Sequence, residues 1–191
     1  MPIHDGLETD VWGDNMVIPR EVDNGIEAAE YSYWGGNIIT GDDGKEHLFV
    51  CRWPENHPKG HRAWWDSHVV HAVSDQPTGP FRVVDVIGKG HNPELYQTKD
   101  GTYVIGVIGG AYVSKSLNGP WERTEVVHDS FPAKGKINLT NKTYVVKEDG
   151  SVLMMTKRGQ VYISNDGMNH FKQVTRKSVY PPVNGARSRI R

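Results

Sequence analysis

The chain has 191 residues, 37% of them hydrophobic and 24% charged, with 21 Gly, 11 Pro and a formal net charge of -1. About one residue in six is therefore a turn former, which argues against a helical bundle, and the charge content argues against disorder. The near-neutral balance excludes a whole-molecule field for nucleic acid or acidic membranes, and the longest apolar runs, such as 104–108, are far too short to span a bilayer.

Residues 1–33 read as irregular, with one strand expected over 15–19. The start, Met-Pro-Ile-His-Asp, has neither a basic n-region nor an apolar h-region, so no signal peptide is expected, as in a cytosolic protein or a mature chain. From residue 34 onward a repeat of about 40–57 residues organises the chain, the period of propeller blades. Each copy has an Asp-Gly turn (Asp43-Gly44, Asp100-Gly101, Asp149-Gly150), an apolar run and a short strand ending in Ser. Each Ser precedes an aromatic by seven residues: Ser74 to Phe81, Ser114 to Trp121, Ser164 to Phe171. Asp-Gly between apolar runs predicts a two-residue hairpin of type I′, because Gly accepts positive φ. Strands are expected at 48–51, 103–108 and 152–155. The fold class is all-β, a β-propeller of three to four blades placed at 34–84, 91–127 and 136–178. Three blades do not close a ring, so the array reads as incomplete or as completed by self-association that covers its exposed edges. The tail over 186–191 does not look like part of a blade.

One cysteine, Cys51, excludes an intrachain disulfide and a zinc-finger set; inside the apolar run Leu48, Phe49, Val50 it reads as a buried thiol. His57, His61, His68 and His71 are close in sequence, but no Cys or carboxylate set accompanies them, so no metal site is assigned. There is no nucleophile elbow and no phosphate-binding Gly loop ahead of a helix.

Structural positions recur in every blade, whereas functional ones are singular. His71 stands three before its Ser, where the other copies have Ala111 and Val161. His91 opens the next blade, and its neighbours Gly88 and Gly90 let the backbone bend so that a side chain faces a cleft. For each the alternative is a hydrogen-bonded histidine with a purely structural role. The insert at 52–65 is dense in aromatic and cationic groups; Trp64, Trp65 and Arg62 suit a sugar ring and a carboxylate, or else form a lid over the core. Arg158 follows an apolar run and precedes Gly159, so its guanidinium reads as entering a cleft or as an exposed strand end.

Several runs point to one family. Trp34-Gly35-Gly36-Asn37, Cys51-Arg52-Trp53-Pro54-Glu55, His71-Ala72-Val73-Ser74-Asp75, Gly88-Lys89-Gly90-His91-Asn92-Pro93-Glu94, Asn138-Leu139-Thr140 and Tyr180-Pro181-Pro182-Val183 occur in order. Together they resemble the L-rhamnose-α-1,4-D-glucuronate lyases, a propeller family once classed as glycoside hydrolases and related to the ulvan lyases. The match would cover the first half of such an enzyme. The resemblance implies a seven-bladed propeller, secreted or periplasmic, with its site near the central channel and calcium as an occupant of that channel. It also implies β-elimination on a uronic-acid-containing oligosaccharide or polysaccharide. It nominates His71, His91, Arg158 and Tyr112 as catalytic, with Asn92 beside them in substrate binding. In that scheme Arg158 grips the uronate carboxylate and neutral His91 takes the C5 proton, with His71 as acid or carboxylate contact; the reverse order of the histidines stays open.

Two other readings remain. A glycosidase on a five-bladed propeller needs two carboxylates flanking one bond, for which Glu94, Asp75 and Asp66 are available. A non-catalytic carbohydrate-binding fragment would use Trp64 and Trp65 as a stacking platform.

Overall fold

The structure, a computed structural model, describes residues 24–126, 141–157 and 159–175. The strand expected over 15–19, Arg158, the stretches 138–140 and 180–183 and the tail lie outside them. The described chain is all-β, in three antiparallel four-stranded sheets whose consecutive strands are neighbours. The first sheet holds β1 (Tyr31–Thr40), β2 (Glu46–Pro54), β3 (His68–Ser74) and β4 (Arg82–Lys89). The second holds β5 (Glu94–Gln97), β6 (Tyr103–Val107), β7 (Gly110–Ser114) and β8 (Glu122–Thr124). The third holds β9 (Lys142–Val146), β10 (Val152–Thr156), β11 (Val161–Ser164) and β12 (Lys172–Gln173). A seven-bladed ring is not shown by these sheets.

The Asp-Gly turns differ from the expected type. In the first, Gly44 N–H donates to Gly41 O (3.0 Å) and Gly41 N–H to Lys45 O (2.8 Å). The same two bonds recur around Gly101 and Gly150, and in each dipeptide only the glycine has positive φ (74°, 81° and 88°). These are three-residue loops, a type I turn closed by a left-handed glycine, rather than type I′ turns. The aspartate supplies the reason. Its carboxylate accepts the N–H two residues on, from Lys45 (3.1 Å), Thr102 (3.3 Å) and Ser151 (2.9 Å), and so fixes a longer turn than the dipeptide alone specifies.

The serine-to-aromatic spacing is also structural. Ser74 and Ser114 Oγ accept the N–H two residues later, at 3.0 and 3.1 Å, and Ser164 Oγ donates to Asp166 Oδ1 at 2.8 Å. Each hydroxyl starts a turn that delivers Phe81, Trp121 or Phe171 back onto its sheet, with Phe81 and Phe171 buried.

Phe49, Val69, Leu95, Ile105, Val107 and Tyr112 form the core between the first and second sheets. Tyr96, Val104, Val152, Met154, Tyr162 and Phe171 form the one between the second and third. The first strands of the sheets, β1, β5 and β9, touch in turn, as the inner strands of propeller blades do. They are joined by amides. Asn37 Nδ2 donates to Leu95 O and Asn37 Oδ1 accepts Leu95 N–H, both at 2.8 Å, and Asn92 Nδ2 donates to Asn141 Oδ1. Asn37 follows a bulge in β1 where Gly36 has φ +93°, and a Cβ there would run into the Phe49 carbonyl. One end of the sheets carries the Asp-Gly and Ser-to-aromatic turns. The other carries the β2–β3 connection, with its 3₁₀ segment Gly60–Asp66, and the β4–β5 turn through His91. No helix among the described residues is long and apolar enough to cross a membrane.

Asn37→Leu leaves the Leu95 N–H and C=O without partners at the joint between two sheets. It is expected to lower the unfolding free energy by about 2–4 kcal/mol, measured by urea denaturation.

Candidate functional site

The chain leaves β4 through Gly88-Lys89-Gly90 in close contact with the second sheet. A Cβ at Gly90 would lie 2.9 Å from Val107 and 3.0 Å from Val69, and one at Gly88 would lie 2.5 Å from the Tyr112 hydroxyl. This close passage lays His91 over the end of the first sheet. Its Nδ1 is 2.9 Å from Ser67 Oγ and 3.3 Å from Cys51 Sγ. Its ring centroid lies 4.6 Å from that of Trp64 and 6.0 Å from that of Trp53. Trp64 in turn stacks on Trp65 at 4.0 Å, and Trp65 is 55% exposed. Burial first, and the charge of His61 second, push the His91 imidazole down to about 4, so it is neutral at physiological pH. The turn thus presents a neutral imidazole beside a stack of indole faces. Trp34, 54% exposed, stands on β1 opposite Cys51.

Two of the three candidate carboxylates belong to this end. Glu94 opens β5, three residues after His91; burial raises its carboxyl pKa, against a 2.9 Å hydrogen bond from Thr143 Oγ1 that lowers it. Asp66 closes the 3₁₀ segment and is held below the usual carboxylate range by its hydrogen bond and charge contact with Lys89, 3.0 Å away. Asp75 lies after β3 at the opposite end, paired with Lys45 at 3.3 Å.

The other predicted residues take different places. His71 is not brought to His91. It is 2% exposed between the first two sheets, stacked on Phe49 at 4.7 Å, and its Nε2 meets His47 Nδ1 at 2.8 Å. His47 Nε2 continues to Asp43 Oδ1 at 3.1 Å. Burial, then the neighbouring His47, push His71 down to about 4, against the pull of Asp85 and Asp43. Tyr112 is buried and donates its hydroxyl to Lys89 O at 2.9 Å, which anchors the β4–β5 turn. Asn92 is spent on Asn141 at the joint of the inner strands, and Arg62 is exposed. Arg158 lies outside the described residues. Ser67, His47 and Trp34 were not singled out from sequence; only the Trp34-Gly-Gly-Asn run hinted at the last. Among the described residues no group of three or more His, Cys, Asp or Glu side chains is arranged to hold a metal ion, so the calcium implied by the resemblance is assigned no ligands. A separate cleft of about 310 Å³ opens on the far flank of the first sheet, lined by Tyr31, Tyr33, Phe81 and Arg82, with Arg52 3.9 Å from the Tyr31 ring centroid.

No protein-family model matches the chain, and no curated protein matches it. Solved structures do. A family 117 glycoside hydrolase of the marine bacterium Zobellia galactanivorans is 17% identical with a TM-score of 0.56, over 76% of this chain and 46% of that one. A glycosyl hydrolase from Bacteroides ovatus is 16% identical with a TM-score of 0.58, over 75% and 48%. A mutant of the GH43 protein BlXynB from Bacillus licheniformis is 13% identical with a TM-score of 0.58, over 81% and 32%. The chain therefore spans about half the length of the first two or less of the third, and at these identities the likeness shows the fold, of the propeller type. It corrects the family resemblance. These neighbours are glycoside hydrolases of the five-bladed propeller type, not rhamnose–glucuronate lyases.

The buried imidazole makes acid stability a test of this geometry. Above pH 6.5 His71 is neutral whether folded or unfolded; as pH falls toward about 4 the unfolded chain takes up a proton that the buried ring refuses, so stability is lost over that window. In His71→Leu the slope of unfolding free energy against pH, near pH ~5, is expected to shrink by about 1.4 kcal/mol per pH unit. Urea unfolding at several pH values measures it, and an unchanged slope would mean that His71 titrates normally.

Proposed function

We propose that this chain supplies the sugar-binding end of a carbohydrate-active propeller, and that the chemistry at this end is glycoside hydrolysis. The observation that carries the reading is the pair of carboxyl groups of opposite tendency, Glu94 raised and Asp66 lowered, at the end of the sheets that also holds the His91 turn and the Trp64–Trp65 stack. Groups whose surroundings push their pKa values apart are suited to opposite roles in one reaction. Glu94, whose carboxyl burial shifts toward the protonated form, would give its proton to the departing glycosidic oxygen. Asp66, held ionised, would act on the opposite side of the sugar, on a water or on the anomeric carbon itself. Indole faces at Trp64 and Trp65 match the C–H face of a pyranose or furanose, and neutral His91 offers a hydrogen bond to a hydroxyl. The structural neighbours from Zobellia galactanivorans and Bacteroides ovatus are themselves glycoside hydrolases, which supports the same class of substrate.

The test is release of saturated sugar from a panel of p-nitrophenyl α- and β-glycosides and from plant and algal polysaccharides. Glu94→Gln and Asp66→Asn are each expected to lower kcat by about 10²–10⁴-fold, with Trp65→Ala acting mainly on KM. Folded protein that hydrolyses none of these, or variants as active as the parent, would overturn the proposal. Sugar binding that needs Trp64 and Trp65 without any turnover would assign binding alone.

A further inference from the structure

We infer that Ser67, together with Cys51, is a positioning residue that holds His91 in the tautomer bearing its proton on Nδ1, so that Nε2 is left as a bare acceptor on the outward edge of the ring. The inference follows from counting protons around one nitrogen. Ser67 Oγ lies 2.8 Å from Gly90 O and 2.9 Å from His91 Nδ1. Cys51 Sγ lies 2.9 Å from Trp34 O and 3.3 Å from the same Nδ1. The two carbonyls can only accept, and the hydroxyl and the thiol have one proton each. Every group is satisfied in one way: Ser67 O–H donates to Gly90 O, Cys51 S–H donates to Trp34 O, and His91 Nδ1–H donates to Ser67 Oγ with the sulfur as a second acceptor. Turning the hydroxyl proton onto His91 instead strips the Gly90 carbonyl of that donor, while Nδ1 gains nothing it could not have made as a donor.

Burial supports the assignment. Cys51 and Ser67 are almost wholly enclosed, and burial pushes the Cys51 thiol up, so the sulfur keeps its proton. The half-buried His91 ring turns its Nδ1 edge to this enclosed floor, which leaves the Nε2 edge outward, and Nε2 makes no hydrogen bond to a described residue. The Ser67 backbone is fixed as well, since Gly90 N–H donates to Ser67 O at 3.0 Å, so hydroxyl and imidazole are held in register by a reciprocal pair of bonds. Resting on the carbohydrate reading, the ligand group that fits Nε2 is the O–H of a sugar, donated to the imidazole beside the Trp64 face.

The assignment is tested without any ligand. In protein labelled with ¹⁵N at histidine, long-range ¹H–¹⁵N correlation spectra near pH ~7 are expected to show the His91 signals, identified by their loss in His91→Gln, with Nδ1 protonated and Nε2 bare. Ser67→Ala is expected to move this signature toward the other tautomer, and Ser67→Thr, which keeps the hydroxyl, to restore it. A parent protein with the proton on Nε2 would overturn the inference whatever the variants do, and so would Ser67→Ala with an unchanged signature. The proposed function fails separately: bare Nε2 in a protein that hydrolyses no glycoside counts against that reading alone. Protonated Nε2 in an active protein counts against this one alone.

Discussion

Sheets stacked side by side share no backbone ladder, so something must set where one inner strand stands against the next. Here the joint is the Asn37 side chain, which offers Leu95 the donor and the acceptor that a further strand would have offered. An amide can do this because it carries both functions in one plane, and the bulge at Gly35 and Gly36 is what lets β1 bring it close enough. The rest follows from that register. It brings Val69 and Val107 into one core, brings Gly90 down onto both, and sets the next residue, His91, over Ser67 and Cys51.

The first sheet and the turn that leaves it hold two histidines, His71 and His91, that stay neutral for the same reason, desolvation, and yet serve different ends. His71 is sealed into a line of His47 and Asp43 that reaches the solvent only through the carboxylate, so its neutrality is a matter of folding. His91 keeps one edge open, so its neutrality is available to a ligand. Between them stand Phe49 and Val69, packed in the same core, which separates the two networks by a layer of apolar side chains.

Much of the sheet architecture was legible in the residues, because the repeat is built from local chemistry. Asp-Gly, the terminal serine and the aromatic seven residues on each act within one hairpin, where sequence neighbours are also spatial neighbours. What could not be read depends on register. His71 broke the repeat, and singularity marks a core histidine as well as a functional one; its partner His47 is 24 residues away and is met only through strand pairing. Ser67 carried no motif at all, since its role arises from a fold-back of 23 residues onto Gly90. The family resemblance went astray for a related reason. Trp34-Gly35-Gly36-Asn37 is the bulge and amide joint of an inner strand, and Gly88-Lys89-Gly90 is a close passage between sheets under the Tyr112 hydroxyl. These runs describe how blades are assembled, which propellers of different chemistry share.

The outer side of the third sheet carries a requirement of its own. Val145, Met155 and Val174 are exposed there, with Leu153 and Ile163 only partly covered, so this face meets water with aliphatic and thioether groups. Packed sheets interlock at about 10 Å through such faces, and salts excluded from protein surfaces strengthen the drive to bury them. In sulfate or phosphate this flank therefore adds to the drive toward association, and a lysine in place of Val145 would reduce that contribution without touching the end that holds His91.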